Sequence, residues 1–321
     1  MTTTGTTLFD LDFTEIAEES WERAGREMRS GYDLRTARRS MNLMTIEWQN
    51  RGINMWTIEP GTFNMVQGQF CYPLPVDTID LMEQQIRTGA NNYSTQSDLN
   101  ITRISMSTYA TIPNKITQAR PIQVMVQRMS GQTNPTTGLL DGSIDDNDTT
   151  ITLTDVTGLP AFGFIKIDNE IINYSYIVQN PVGVGGTLNN CFRAQANTLA
   201  TSHLDGAAVY WNQIPAVVVW PVPNQGTLAD PYYTFTYYRM RRVQDAGSGA
   251  ETADMNFRFL PAVTAGLAYY IAMKVPELAP RLDMLKGVYN EMFDLCAGED
   301  REKAPVRFVP RQMFIGSGGG Y

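Results

Sequence analysis

RPIQVMVQR (residues 120–128) and IPAVVVWPVP (residues 214–223) are the two stretches that decide the fold of this 321-residue chain. Both are typical of strands, because β-branched and apolar residues are concentrated in short runs next to prolines. The segment between them is polar, rich in Gly, Thr, Asn and Asp, and contains short apolar runs of its own. We therefore predict a frame domain, residues 1–130 and 213–321, whose strand stops and resumes around an inserted β-domain, residues 131–212.

The charge of the chain is divided unevenly between these two parts. Eight acidic and two basic residues lie within 131–212, so this segment carries −6 of the formal net charge of −8. Apolar residues make up 43% of the chain and charged residues 18%, which allows packed cores and argues against a disordered chain or a long coiled coil. The difference in charge supports the division into two domains.

Neither a membrane segment nor a disulfide framework is expected. The N-terminal MTTTGTTLFD has no basic start and no long apolar core, so no secretory signal is recognised. The longest apolar stretch, 259–273, is shorter than the roughly 20 residues that a spanning helix needs. Cys71, Cys191 and Cys296 are scattered and odd in number, which favours a protein made in a reducing cytoplasm.

Helices are predicted in both parts of the frame. Asp12 and Glu15 have the spacing of a capping box at the start of a first helix. Asp33 is predicted to cap a second helix, which ends at Gly52. The 259–273 stretch is apolar nearly all round, which predicts a buried helix with close helix contacts, and an amphipathic helix follows it.

Strands are predicted in the frame and in the insertion. Frame strands are expected at 55–59, 62–66 and 232–239, with a turn at Pro60-Gly61, whereas 77–87 and 101–109 are compatible with either helix or strand. Five short strands are expected in the insertion, at 149–153, 162–167, 170–176, 187–192 and 207–211. Together these patterns predict an α+β protein: a helical-bundle frame with strands, and an inserted all-β domain that is sandwich-like or barrel-like.

Residues that resemble catalytic or ligand-binding motifs have simpler interpretations. His203 is the single histidine, and with Ser202 and Asp205 beside it we interpret it as a turn or surface residue, because sequence neighbours do not make a triad. Gly183, Gly185 and Gly186 lack the Lys-Ser/Thr of a phosphate loop and indicate a hairpin tip. No catalytic residue, cofactor site or metal site is predicted.

Clusters of like charge are interpreted in the same way. The acidic run 145–148 lacks the Gly and distal Glu of a calcium loop and favours an Asx turn. Arg239, Arg241 and Arg242 follow tyrosines and have the composition of a nucleic-acid contact, but a single basic cluster in an acidic chain favours a solvated or ion-paired strand end. The arginines at 35, 38 and 39 are interpreted likewise.

Several stretches of the frame resemble the head-to-tail adaptor proteins of short-tailed bacteriophages, also called connector or tail tubular A proteins. The resemblance is ordered along the chain and covers most of the frame. Its stretches are ARRSMNLMTIEWQNRGINMWTIE (37–59), YPLPVDTIDL (72–81), RIS (103–105), IPNK (112–115), RPIQVMVQR (120–128), VVWPVP (218–223), YYRMRRVQDAG (237–247), RFLPAVTAGLAYYIAMK (258–274) and REKAPVRFVP (301–310). The inserted segment resembles small β-domains of phage tail proteins.

This resemblance implies a structural virion protein in the tail or neck, assembled in the host cytoplasm. The family forms a ring of twelve subunits that joins the portal protein to the tail nozzle protein and lets DNA pass without specific binding. The apolar residues of the C-terminal tail are then expected to dock on a neighbouring subunit or the portal. They are Val306, Phe308, Val309, Met313, Phe314 and Ile315.

Two alternatives remain open at this point. In the first, the inserted β-domain binds a tail fibre or a host glycan, for which Tyr174, Tyr176, Tyr210 and Trp211 are the candidate aromatic residues. In the second, the protein is a cell-wall hydrolase with Asp168 and Glu170 as paired carboxylates.

Overall fold

The computed structural model describes residues 4–5, 7, 9, 11–53, 55–89 and 95–300. The chain divides into two compact units, Met1–Met55 with Val243–Tyr321 and Trp56–Arg242. We call them the helical unit and the β unit. The long helices belong to the first and the sheets to the second, so the protein is of the α+β class, as predicted.

The helices have sharp boundaries. They are α1 (Phe13–Ala24), α2 (Gly31–Asn50), α3 (Met106–Ala110), α4 (Leu260–Ala272) and α5 (Leu282–Glu299). The predicted capping box at Asp12 and Glu15 is confirmed, with both hydrogen bonds present. The predicted cap of α2 is wrong: Ser30 caps this helix by accepting the Asp33 N–H, and Asp33 lies in its first turn. No described helix has the length and apolar character needed to cross a membrane.

Helix α4 forms the core of the helical unit. Nine of its thirteen residues are buried, which confirms the prediction from its uninterrupted apolar sequence. Gly266 brings the backbone of α4 close to both neighbours, because a Cβ at this position would lie 2.6 Å from Met44 Sδ of α2 and 2.8 Å from the Tyr289 ring of α5. Trp48 of α2 donates a hydrogen bond of 2.8 Å to the Tyr289 hydroxyl. The three helices therefore pack as one core.

The β unit contains the strands. They are β1 (Ile58–Asn64), β2 (Cys71–Pro73), β3 (Thr78–Thr88), β4 (Ser97–Asn100), β5 (Thr102–Arg103), β6 (Gln123–Gln127), β7 (Thr133–Leu139), β8 (Thr150–Leu153), β9 (Gly163–Ile167), β10 (Glu170–Tyr174), β11 (Tyr176–Gln179), β12 (Gly186–Asn189), β13 (Ala208–Asn212), β14 (Ala216–Trp220) and β15 (Tyr233–Arg241). The strand orders of its sheets are β1-β15-β3-β4, β2-β14-β6-β5, β10-β9-β13-β7 and β11-β12-β8.

The two deciding stretches are neighbours and not one interrupted strand. β6 and β14 pair antiparallel, with Gln127 opposite Ala216 and Gln123 opposite Trp220. The insertion therefore occupies the connection between two adjacent strands. Its ends meet, since the Gly131 N–H donates to the Gln213 carbonyl at 2.7 Å and the Gln213 N–H donates to the Gln132 carbonyl at 2.8 Å.

The predicted turn at Pro60-Gly61 is wrong. Both residues lie inside β1, which pairs with β15 alone among the described strands and is therefore an edge strand, where proline is tolerated. Gly61 lies opposite Tyr237, whose ring occupies the space that a side chain would fill. Of the two undecided segments, 77–87 forms β3, and 101–109 contains both β5 and most of α3.

The strands within 131–212 pair only with one another among the described strands. β8, β9, β12 and β13 match predicted strands, the predicted strand 170–176 bends into β10 and β11, and β7 was missed. The two sheets share one core, which includes Ile165 and Val209 from one sheet and Leu153 and Leu188 from the other. This arrangement corresponds to the sandwich alternative.

The boundaries of the two units differ from the predicted domain boundaries. The frame strands and the 131–212 segment lie together in the β unit, and Phe164 of β9 packs into the same cluster as Phe70, Met125 and Val218 of the frame. That 131–212 behaves as a separate domain stays a prediction.

Candidate functional site

His203 lies in the interior of the β unit, so its interpretation as a turn or surface residue is wrong. It is 2% exposed. Its Nδ1 lies 2.8 Å from Asp168 Oδ2, and its Nε2 lies 2.9 Å from Glu170 Oε2. Asp168 belongs to the two-residue hairpin between β9 and β10, which the Asp-Asn pair predicts, and Glu170 is the first residue of β10. The fold thus brings His203 to carboxylates far away in the sequence.

Glu170 is the centre of a buried polar network. Its side chain is fully buried, and that of Arg193 is 7% exposed. Arg193 donates to both carboxylate oxygens at 2.8 and 2.7 Å, in the bidentate geometry of strong ion pairs. The backbone N–H groups of Ala194 and Thr201 each donate to one oxygen at 3.1 Å. With His203, five hydrogen-bond contacts converge on one carboxylate.

These contacts decide the charge of Glu170. Burial by itself raises the pKa of a carboxyl group, because it disfavours the ion. The hydrogen bonds from Arg193, the Ala194 N–H, His203 and the Thr201 N–H outweigh burial and hold the pKa of Glu170 below its ordinary value. Glu170 is therefore an anion over the physiological range.

The arrangement does not suit hydrolysis by Asp168 and Glu170. The Glu170 and His203 side chains are at most 1% exposed, whereas Asp168 is 68% exposed, so the two carboxylates do not face a common cleft. Paired catalytic carboxylates must both reach the scissile bond. We interpret the network as a cross-link between β10 and the 193–203 segment.

The segment after Cys191 has an unusual backbone. Ala194, Ala196 and Asn197 have φ values of 54°, 52° and 61°, in the left-handed region that non-glycine residues seldom adopt. Such residues cost on the order of 1–3 kcal/mol each and persist only where the surroundings hold them. Here Glu170 binds the Ala194 N–H, and Gln69 Nε2 donates to Gln195 Oε1 at 2.9 Å.

This strained segment forms one wall of a cavity of about 560 Å³. The lining also includes the aromatic residues Phe63, Tyr72 and Tyr237, and the Phe63 and Tyr72 rings stack at 4.8 Å. The Tyr72 hydroxyl donates to backbone carbonyls within 66–69 and is thereby fixed. The cavity lies between the connection of β1 and β2 and the 192–197 segment.

Sequence reasoning missed both the network and the cavity. A signal for the network exists, because Arg193 is the single arginine of a strongly acidic segment and a buried carboxylate requires a cation. No signal exists for the left-handed backbone at Ala194 and Ala196, since alanine disfavours it and tertiary hydrogen bonds impose it.

The polar clusters have local partners, as interpreted. Arg239 binds Glu59 at 2.8 Å and Asp77 at 2.5 Å, and Arg241 binds Glu59 at 2.7 Å, which confirms an ion-paired strand end. In the acidic run, the Asp145 N–H donates to Asp148 Oδ2 at 2.7 Å, the hydrogen bond of a local turn. Among the described residues, no group of three or more acidic, His or Cys side chains is arranged to hold a metal ion.

The aromatic candidates for glycan binding are not brought together. Tyr174 is fully buried, and its hydroxyl donates to the Pro160 carbonyl at 2.7 Å. Tyr210 and Trp211 belong to β13 in one sheet, and exposed Tyr176 belongs to β11 in the other.

The outer face of α2 is exposed over the length of the helix. One row of exposed residues runs along it at spacings of three and four, and consists of Tyr32, Arg35, Arg39, Leu43 and Ile46. Arg38 and Arg51 have local partners, since Arg38 donates to the Gly247 carbonyl and Arg51 pairs with Glu47. No described carboxylate lies within ion-pair distance of Arg35 or Arg39.

Helix α5 has a corresponding exposed face. Its residues are Met284, Val288, Glu291 and Leu295, and Asp294 lies beside them. The buried face of α5 carries Leu285, Tyr289, Phe293 and Cys296. No described cation forms an ion pair with Glu291 or Asp294.

The predicted docking residues of the C-terminal tail, Val306, Phe308, Val309, Met313, Phe314 and Ile315, lie outside the described residues. No protein-family model matches this chain, and a search of curated proteins found no match to it.

Proposed function

We propose that this protein is a structural, non-enzymatic head-to-tail adaptor of a short-tailed bacteriophage. Twelve identical copies form a ring between the portal protein and the tail nozzle protein. The ring belongs to the tail or neck of the virion, is assembled in the host cytoplasm and encloses a channel through which DNA passes without specific binding. Two observations support the proposal: the frame segments resemble the adaptor family, and the helical unit has exposed faces suited to binding protein.

The observation that carries the proposal is the pair of exposed faces on α2 and α5. Leu43, Ile46 and Leu295 are each more than half exposed. Scattered exposed apolar residues are ordinary on a monomer, but rows of them along two helices are typical of surfaces that bind protein. A ring needs two different surfaces on each subunit, because each copy contacts one neighbour on either side.

The acidic 131–212 segment suits the outside of such a ring. Its charge of −6 repels phosphate, so we place it away from the DNA channel. The basic residues of the frame that are paired with carboxylates, such as Arg239 and Arg241, stabilise the β unit and are not assigned to DNA.

The experiment that tests the proposal is mass photometry and negative-stain imaging of the purified full-length protein, with and without portal protein. We expect closed rings, twelve subunits by mass, that attach to the portal. A protein that stays monomeric and never joins the portal would contradict the proposal.

A second candidate function is the binding of a tail fibre by the inserted segment. β11 is an edge strand, and the β11–β12 hairpin exposes Tyr176, Val178, Val182 and Val184. Residues 171–192 contain no charged side chain, although the segment around them is strongly acidic. An uncharged edge strand with exposed apolar residues is suited to strand addition by a partner.

Val178→Lys in the full-length protein tests this second function. We expect it to abolish fibre binding in a pull-down and to leave assembly unchanged. Glycan-array binding that Tyr176→Ala abolishes would favour a glycan ligand instead, and unchanged fibre binding by Val178→Lys would contradict the candidate.

A further inference from the structure

The exposed faces of α2 and α5 differ in charge. On α2, the face carries Arg35 and Arg39 and no carboxylate. Lys274 lies near it and donates to Ser40 Oγ at 2.7 Å, and burial together with the Arg39 charge lowers the pKa of Lys274. The α2 face is therefore a region of positive charge that no described carboxylate compensates.

On α5, the face is acidic. Glu291 lies in the row of Met284, Val288 and Leu295, and Asp294 flanks it. Lys286, the basic residue of α5, occupies another part of the helix surface, because it does not follow the spacing of three and four that joins the row. The α5 face is therefore a region of negative charge that has no cation paired with it in the described part of the chain.

We propose that the α2 face of one copy of this chain binds the α5 face of the next copy. This inference rests on the proposed ring and names its subunit contact. The α5 row is short enough to lie within the α2 row: residues 32–46 of α2 rise about 21 Å and residues 284–295 of α5 rise about 17 Å, at about 1.5 Å per residue. Apolar residues on both rows pack together, and the arginines of α2 face the carboxylates of α5.

The charges also disfavour pairing between two like faces. A dimer through two α2 faces brings Arg35 and Arg39 against their own copies, and a dimer through two α5 faces does the same with Glu291 and Asp294. Like charges in direct apposition disfavour a contact. The favoured contact therefore joins unlike faces. When each pair of copies makes one such contact, its repetition generates a ring or an open filament, whereas a two-fold dimer requires α2 and α5 of one copy to bind α5 and α2 of the same partner. The mass measured in the test distinguishes a ring from that dimer.

The test uses two charge-reversal variants of the full-length protein. Arg35→Glu with Arg39→Glu makes both faces acidic, and Glu291→Lys with Asp294→Lys makes both faces basic. We expect each variant alone to assemble about tenfold to a hundredfold more weakly than the wild type at low ionic strength, measured by mass photometry over a protein concentration series. The matched control is Lys286→Glu on the other part of α5, which is expected to leave assembly unchanged.

Mixing distinguishes a lost contact from a misfolded protein. In an equimolar mixture, the acidic α2 of the first variant meets the basic α5 of the second, and the basic α2 of the second meets the acidic α5 of the first. We expect the mixture to form rings in which the two variants alternate, as native mass spectrometry of differently labelled chains reports. A mixture that does not assemble overturns the pairing.

The remaining outcomes separate this inference from the proposed function. If the wild type forms rings and both variants assemble as well as the wild type, the α2–α5 contact is wrong and the adaptor proposal stands; coverage of these faces by residues 301–321 gives that result. If the wild type stays monomeric with and without the portal, both proposals are wrong.

Discussion

Glu170→Gln is the substitution that most directly tests the buried network. It removes the negative charge but keeps the shape, and it replaces one acceptor oxygen with an NH2 group that faces donors. The Arg193 guanidinium then stays buried without a counter-ion, while a backbone N–H or His203 loses its acceptor. Breaking a buried ion pair by removing one partner costs about 3–5 kcal/mol.

The assay is hydrogen exchange of the full-length protein, followed by mass spectrometry of peptides from β10 and the 193–203 segment. At about 1.4 kcal/mol for each factor of ten, we expect the protection of the Ala194 and Thr201 N–H groups to fall by between about one hundredfold and a few thousandfold. Peptides from α4 are expected to be unchanged, because this helix belongs to the other unit.

Asp168→Asn is the matched control. It changes the other carboxylate that contacts His203, but the Asp168 side chain is largely exposed, and even a charged contact at such an exposed position contributes only about 0–1 kcal/mol. Loss of protection below tenfold in Glu170→Gln, or equal losses in the two variants, would refute the conclusion that Glu170 holds the 193–203 segment in place.

Other predictions concern acid stability, helix packing, the insertion and the tail. Hydrogen bonds lower the pKa of Glu170 in the folded protein. Its contribution to stability is therefore complete above the unfolded-state pKa of about 4.3 and is lost as the pH falls through the folded-state pKa. The difference in urea midpoint between wild type and Glu170→Gln should shrink in acid and stay constant toward neutral pH. Gly287→Ala should raise the free energy of unfolding by about 1 kcal/mol, since nothing lies near the added methyl group. Gly266→Ala should lower the free energy of unfolding by up to about 2 kcal/mol, because the methyl group overpacks the contacts of α4. Equal effects of the two substitutions on thermal unfolding would contradict this prediction. Replacing 131–212 by an Asn-Gly turn should preserve ring formation in mass photometry but reduce solubility, because the frame loses the cover of Phe164; loss of rings would show that the insertion is needed for assembly. Deleting 305–321 should weaken ring formation, and unchanged rings would exclude a docking role for the tail.

Local sequence signals predicted the elements whose stability is local. The capping box at Asp12, the αL residue Gly52 after α2 and the apolar run of α4 are confirmed, because caps and periodic burial depend on residues close together in the chain. The turn predicted at Pro60-Gly61 failed for the opposite reason. These residues favour a turn in isolation, but β1 is an edge strand, where proline is tolerated and Gly61 leaves room for the Tyr237 ring of β15.

The residues of the candidate site depend on contacts between distant parts of the chain, so local sequence signals did not predict them. His203 was interpreted from its neighbours Ser202 and Asp205, yet its partners are Asp168 and Glu170, more than thirty residues away. Alanine disfavours the left-handed backbone that Ala194 and Ala196 adopt, so their residue type could not predict it. Both features depend on hydrogen bonds that exist only after β10 and the 193–203 segment have come together.

By itself, the sequence determined the α+β class, most of the strands and helices, and the position of the insertion, because hydrophobic periodicity and turn chemistry act over a few residues. Only the tertiary structure decided that the stretches at 120–128 and 214–223 are antiparallel neighbours, since strand direction depends on long-range pairing. It alone also revealed which arginines lie beside a carboxylate among the described residues. Arg239 and Arg35 look alike in sequence, but the fold places Glu59 and Asp77 beside Arg239 and no described carboxylate beside Arg35. That difference separates an internal ion pair from the surface that we propose for another subunit.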